Sequence, residues 1–369
     1  MKFGQPSTLP RWAQLTLLPV LNLSAALLVT GLVTWLIGEN PLECLHLLVV
    51  GALGYGEGIG YTLFYTTGFI FVGLAVATAA HAGLFNIGGE GQAYLGGLGV
   101  TLVVLSFDHV LPFWILMPLC LIGAMLFGAG WALIPAWLQA KRGSHIVVTT
   151  IMFNFIAYSL MLYLISHHLI EPGSQNPTTR EFGHNAWMPA MSDMLAAIGL
   201  TIPPTPLNAS FLVALLACVL FYLVVWHSRW GFELRTAGSN EHAARYAGIG
   251  VSTVIIVAMC VSGALSGLSA VNDLLGSTHR MNVGFTNGIG FVGIAVALMG
   301  RNHPVGILLS ALLFGALTQG GLELSLDKPV ITREMILLIE GLIILFCGAL
   351  ENLFEPFLAS LFARFTQRK

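Results

Sequence analysis

The sequence predicts an all-α polytopic membrane protein of about ten transmembrane helices, and three observations carry that expectation. Hydrophobic residues fill 56% of the 369 positions and charged ones only 9%, against about 25% charged in a soluble globular chain. The mean hydropathy is +0.84, too high for a water-facing surface. Apolar runs also recur at close to the roughly 20 residues that cross about 30 Å of hydrocarbon. Forty-two glycines fit the same class, because small residues let membrane helices approach closely. A net charge of −2 offers no basic face for nucleic acid.

The first run, 17–37, follows Arg11. It is longer than the roughly 7–15 residues of a signal-peptide core, and no small-x-small cleavage site follows, so it reads as an uncleaved first helix. Further spans are expected at 59–80, 87–107, 113–133, 147–165, 211–225 and 252–270. A short glycine-rich stretch, 284–300, either crosses or re-enters, and is followed by 305–318 and 335–350. Irregular backbone at that depth requires cover by protein or a water-filled cavity.

Lys and Arg give an N-in, C-in orientation. Lys2, Arg11, Lys141, Arg142, Arg229, Arg235, Arg245, Arg301, Arg364, Arg368 and Lys369 fall inside, and only Arg180, Arg280, Lys328 and Arg333 outside. The chain reads as one transmembrane domain, 1–369, with an external loop at 167–206 and a cytoplasmic loop at 227–250. Pro172, Pro177, Pro189, Pro203, Pro204 and Pro206 exclude a long helix from the external loop. It serves either as a docking surface or as a packing cap.

Cys44, Cys120, Cys218, Cys260 and Cys347 form no CxxC pair, and no disulfide is expected. The adjacent His167 and His168 point about 100° apart in a helix, a poor arrangement for a metal, and no metal site is expected. Gly288-Ile-Gly-Phe-Val-Gly293 satisfies GxGxxG, but no strand precedes it and no acid follows about 20 residues later. None of Lys2, Lys141, Lys328 and Lys369 ends a phosphate-binding GxxxxGK[ST] loop, so the chain has no ATP site of its own. Gln319 and Glu340 face other helices or line a path, and Asp273 marks an external helix end.

The stretch 83–94 is the most informative, placing Asn86, Glu90 and Gln92 among glycines in an apolar region. Asn86 and Glu90 share a face if both are helical. Alternatively, Asn86 caps a helix whose first turn holds Glu90. An ionised carboxylate near the bilayer centre costs about 2.5–3.5 kcal/mol, so such a group faces a bundle interior or a cavity.

Phe85-Asn-Ile-Gly-Gly-Glu-Gly-Gln92 resembles the FNIG-x-EGQ signature of nucleoside-type permeases, within the branched-chain amino acid and simple-sugar group of ABC importers. Thr150-Ile-Met-Phe-Asn154 and the segment Gly290 to Asn302 are similar to TIMLN and GFxGIAVALLGRN of the same permeases. Where those have Asn-Glu-Val before the fifth helix, this chain has His145-Ile-Val. The matches run from about residue 74 to 321.

The resemblance implies a permease subunit of a bacterial ABC importer, multi-pass in the plasma (inner) membrane, moving a purine-type nucleoside inward by alternating access. A simple sugar or an amino acid is the alternative cargo. ATP and Mg would bind an ABC ATPase partner, leaving this chain without a cofactor. A second, homologous permease forming a heterodimer and an extracytoplasmic substrate-binding lipoprotein are also implied. It places Asn86, Glu90 and Gln92 on the pathway, and Phe153, Asn154 and Phe291 join them as candidates for aromatic and amide contacts with the solute.

In the inner loop, Ser239 or Asn240 is a sound N-cap, Glu241 lies in the first turn and Gly248 is placed as C′ residue. The helix between them has about two turns, too few to stand alone. This stretch resembles the LRAxGxNxxAARYAGI coupling segment, which carries ATPase coupling onto Arg235, Gly238, Asn240, Ala243, Ala244, Arg245 and Gly248. A basic loop that merely anchors its neighbouring helices is the alternative. An ion-coupled secondary transporter would predict inverted repeats, and none is visible. An intramembrane enzyme would need a nucleophile and base at workable spacing, and none stands out.

Overall fold

A computed structural model describes residues 17–346 and Leu358. Its helices are α1 (Leu18–Leu36), α2 (Pro41–Leu53), α3 (Gly56–His81), α4 (Gly89–Phe107), α5 (Phe113–Arg142), α6 (Ile146–His167), α7 (Met191–Ala196), α8 (Ser210–His227), α9 (Arg229–Ser239), α10 (Glu241–Tyr246), α11 (Val251–Asp273), α12 (Ile289–Met299), α13 (Pro304–Asp327) and α14 (Arg333–Ile344). The extended pairings among the described residues are isolated bridges, Thr178 with Asn282 and Ala190 with Asn208.

Among the described residues, six helices are long and apolar enough to cross a membrane: α3, α5, α6, α8, α11 with the turn that follows it, and α13. A seventh crossing arises if α1 and α2, bent by 118°, count as one. Among the described residues, the expected ten are not all full spans. α4 has the length but is diluted by glycine and polar residues at its start. The thirteen residues of α2 were not expected as a helix, because the run is too short for a crossing. The last expected span, 335–350, is seen as α14 to Ile344, and its end from Cys347 lies outside the described residues.

Of the two readings of the stretch 284–300, the structure fits the one that does not fully cross. Only Ile289–Met299 is helical, about 16 Å at 1.5 Å per residue, half of what a crossing needs. The backbone before it turns through Gly284 (φ +82°), Asn287 (φ 48°) and Gly288 (φ +80°). Phe285 and Thr286 in that irregular stretch are each 5% exposed, so protein covers it as the bilayer demands.

The chain divides into two compact units, one of residues up to Gly51 with those from Gly320, the other Ala52–Gln319. In the first, Cys44, Leu324, Ile331 and Ile336 form a core with Leu47 and Met335. Lys328 bridges Glu39 at 3.2 Å and Glu43 at 3.1 Å.

In the second unit α4, α5 and α11 meet backbone to backbone. A Cβ on Gly96 would lie 2.3 Å from the Gly267 Cα, one on Gly99 2.3 Å from the Gly123 oxygen, and one on Gly128 2.2 Å from the Gly263 oxygen. Helices without side chains at their crossings gain dispersion contacts that lipid cannot match. α3 runs beside them with eighteen of its 26 residues buried, which is why it lacks a polar face.

The two ends of this unit differ. At one, the Ser252 hydroxyl donates to the Ala140 oxygen (3.3 Å), and His81 Nε2 lies 3.0 Å from the Asn302 oxygen. The segments expected inside thus gather together. At the other end the 178–190 stretch of the external loop is bonded down. Asp108 takes a two-pronged ion pair from Arg180 (2.7 and 2.8 Å) and the Gly183 N–H at 2.9 Å. Backbone N–H groups of Thr179, Phe182 and Met188 donate to Met281, His279 and Leu275, and Trp187 stacks on His279 at 3.8 Å. Packing is therefore one role of this loop.

Candidate functional site

The 83–94 motif is a loop followed by a helix, not one continuous helix. α4 begins at Gly89, so Asn86 and Glu90 do not share a helical face. Nor is Asn86 the cap. Its Oδ1 accepts the Gly88 N–H at 2.8 Å, a local turn that competes with helix. Asn154 supplies the cap from α6, where its Oδ1 accepts the Gly91 N–H (2.9 Å) and its Nδ2 donates to the Ile87 oxygen (2.9 Å). Asn86 Nδ2 donates to Gln92 Oε1 (3.0 Å) and Ser262 Oγ (2.8 Å), and the Ser262 hydroxyl donates to the Ala75 oxygen at 2.6 Å.

Glu90 sits in the first turn of α4 but serves another helix. Its Oε1 accepts the Gly288 N–H (3.0 Å) and the Thr286 hydroxyl, and its Oε2 accepts the Gly290 N–H at 2.8 Å. Those amides are the free donors at the start of α12, and a carboxylate there also meets the positive end of the helix dipole. Both oxygens receive donors. The close approach needs Gly290, whose Cβ would lie 2.1 Å from the Glu90 nitrogen.

Asn86 and Gln92 are each 1% exposed, Glu90 7% and Asn154 8%. These four polar candidates thus form one buried frame that fastens the α3–α4 loop, α4, α6, α11 and α12. The two aromatic candidates stand apart from it. Phe153 packs on Trp131 (5.2 Å between centroids), whose indole N–H donates to the Phe153 oxygen. Phe291 is half exposed. Sequence reasoning missed Ser262 and Thr286, which lie 176 and 196 positions from their partners. It also missed an aromatic group in which Tyr94 meets Phe285 and Tyr158 edge-on at 5.6 and 6.0 Å. Gln319 is buried, Asp273 closes α11, and the Glu340 side chain lies outside what is described.

The inner loop is more helical than expected. α9 occupies 229–239, started by Ser228, whose hydroxyl oxygen accepts the Gly231 N–H at 2.9 Å. Ser239 ends α9, so Asn240 is the cap of α10 and accepts the Ala243 N–H at 3.0 Å. Gly248 (φ +80°) closes α10, with Gly248 and Ile249 N–H groups donating to Arg245 and Ala244, the bond pair of a Schellman end. Ala244 is fully buried, Glu241 and Arg245 pair on the open side, and Tyr246 is 99% exposed. Arg235 Nε donates back to the Gly231 oxygen at 3.3 Å. A Cβ on Gly238 would lie 2.2 Å from the His81 oxygen and 2.7 Å from the Gly83 nitrogen. The end of α9 therefore touches the loop that leads to Asn86.

Residues 58–348 match the family of the branched-chain amino acid transport system permease component. The chain belongs to that permease family. This permease is 35% identical over 342 residues to the glucose ABC transporter permease protein TsgB13 of Haloferax volcanii, covering 92% of this chain and 88% of that one. It is 35% identical over 336 residues to the guanosine ABC transporter permease protein NupP of Bacillus subtilis, covering 90% and 93%. It is 33% identical over 340 residues to the nucleoside ABC transporter permease protein NupB of Lactococcus lactis, covering 89% and 90%. The permease is a multi-pass inner-membrane subunit of an ABC transporter, and ATP hydrolysis lies on a partner chain.

Proposed function

We propose that the permease carries a purine-type nucleoside inward by alternating access. The observation that supports this most is the frame built on 85–92. The segment with the nucleoside-type signature is the node where four helices are fastened, with Tyr94, Phe285 and Tyr158 beside it. Aromatic faces with a few amide and carboxyl groups suit a base joined to a sugar. Asn86, Glu90, Gln92 and Asn154 hold the wall of the path, while Phe291 presents an open ring to the solute and Phe153 braces α6 on α5.

ATP and Mg bind the partner ATPase, and this chain holds no cofactor. α10 seats on the ATPase through Glu241, Ala243, Arg245 and Tyr246, kept in shape by Asn240, Ala244 and Gly248. Arg235 and Gly238 of α9 pass its movement to Gly83 and so to Asn86. A second, homologous permease completes the path as a heterodimer, and an external binding lipoprotein delivers solute to the outer face. Likeness to TsgB13, named for glucose, favours a simple sugar as the second reading. Reconstituted with its partners in liposomes, the permease should drive ATP-dependent uptake of labelled guanosine that unlabelled inosine competes away. Uptake of glucose with no response to nucleosides would replace the first reading by the second.

A further inference from the structure

Between α5 and α8 the second unit carries an apolar groove of about 310 Å³. Val213, Leu216, Leu220 and Val224 of α8 line it with Leu121 and Met125 of α5, over residues of α11. From Val213 to Val225 it runs about 18 Å at 1.5 Å per residue, close to one leaflet of a hydrocarbon core about 30 Å thick.

Two polar side chains border the groove. The Thr78 hydroxyl is already spent on the Leu74 oxygen at 2.8 Å. Trp230, at the end where α9 begins, has a buried indole N–H with no acceptor among the described residues. Buried tryptophan N–H groups are normally paired, so an acceptor is missing from this spot.

We propose that the groove holds one acyl chain of an inner-leaflet phospholipid whose ester or phosphate oxygen accepts the Trp230 indole hydrogen. Apart from those two polar side chains its lining is apolar, which suits a methylene chain. A nucleoside or sugar would leave its hydroxyls unpaired against these walls, a cost that excludes the transported solute. Charge at the mouth agrees. Arg229 precedes Trp230 with its side chain 93% exposed, and only its Nε is engaged, by Glu233 at 3.2 Å. The other guanidinium donors remain for a phosphate.

The test uses the permease assembled with its partner chains, stripped of lipid in detergent and titrated with dioleoyl phosphatidylglycerol under native mass spectrometry. A saturable adduct of one lipid per permease is expected. Trp230→Phe, which keeps the ring and loses the N–H, should weaken that adduct about 5- to 10-fold, the effect of one hydrogen bond. Ala217→Trp, filling the groove, should abolish it, and if that variant does not fold, Trp230→Phe decides alone. Coincident titrations of the native complex and Trp230→Phe would overturn the proposal. So would a photoreactive side chain at Leu216 that captures a second permease chain instead of phospholipid.

Discussion

At the scale of single residues, Glu90 matters because of what it leaves behind when removed. Glu90→Ala strips acceptors from the Gly288 and Gly290 N–H groups and the Thr286 hydroxyl. Two buried amides left unpaired cost about 2–6 kcal/mol. Melting of the detergent-solubilised complex should therefore fall by several degrees, together with transport; a variant that loses transport at unchanged melting would make Glu90 a solute contact instead. The sequence made Glu90 conspicuous by its charge in an apolar run, but hid its partners nearly 200 positions away. The spacing to Asn86 misled, because Asn86 bends the chain before the helix begins. Asp108 is a second such residue, outside the spans. Burial alone would raise its carboxyl, but hydrogen bonds from Arg180 and the Gly183 N–H, with the guanidinium charge, hold it below the usual carboxylate range. A depressed carboxyl lends its stability above its unfolded value, near 3.9, and loses it as pH falls through the folded one. Hydrogen exchange of 178–190 should thus be protected evenly from about pH 5 to 8 and released only in stronger acid. Asp108→Asn should release it at neutral pH.

At the scale of elements, α9 and α10 show which signals a sequence carries. Caps are local chemistry, so Asn240 and Gly248 could be read directly and both hold their places. α9 escaped because its two internal glycines and its charges read as loop. Its buried stripe of Gly231, Leu234 and Ala237 at three-residue steps was the available clue. Those glycines let the helix lie against backbone: a Cβ on Gly231 would sit 2.2 Å from the Val224 oxygen. α10 is then held by Ala244 alone and offers everything else outward. A fully exposed tyrosine on a rigid two-turn helix is the type of side chain that anchors interfaces. Tyr246→Ala should lower ATPase affinity by about 2 kcal/mol, some 30-fold, without changing the melting of the isolated permease. Co-purification and solute-stimulated ATP hydrolysis report this; unaltered affinity would take α10 out of the interface. Arg245→Ala breaks an exposed i,i+4 pair worth only about 0.3–0.5 kcal/mol, so a larger loss of coupling would belong to the partner contact.

At the scale of the whole molecule, composition announced that helices would touch through glycine but not which glycines would do so. Contact depends on three helices meeting, and no single run records its neighbours. The second unit rests on the crossings Gly96–Gly267, Gly99–Gly123 and Gly128–Gly263, which join α4, the carrier of Glu90, to α5 and α11. Such a junction is stiff. Under the proposed coupling, a push on α9 at Gly238, delivered to Gly83, would be passed on to the frame around Asn86 rather than absorbed by loose packing. Gly130 provides an internal control, because it lies on α5 beside these crossings yet a Cβ there meets nothing within 4 Å. Gly96→Ala would force the Gly267 backbone away from 2.3 Å, and overpacking of this kind costs about 1–3 kcal/mol. Gly130→Ala gains up to about 1 kcal/mol of helix propensity. In thermal unfolding of the assembled complex, Gly96→Ala should melt lower and couple ATP hydrolysis to uptake less tightly, while Gly130→Ala should equal or exceed the native chain on both counts. Equal losses from the two variants would mean that added bulk anywhere on these helices is harmful, and the stiff junction would no longer explain how motion reaches the frame.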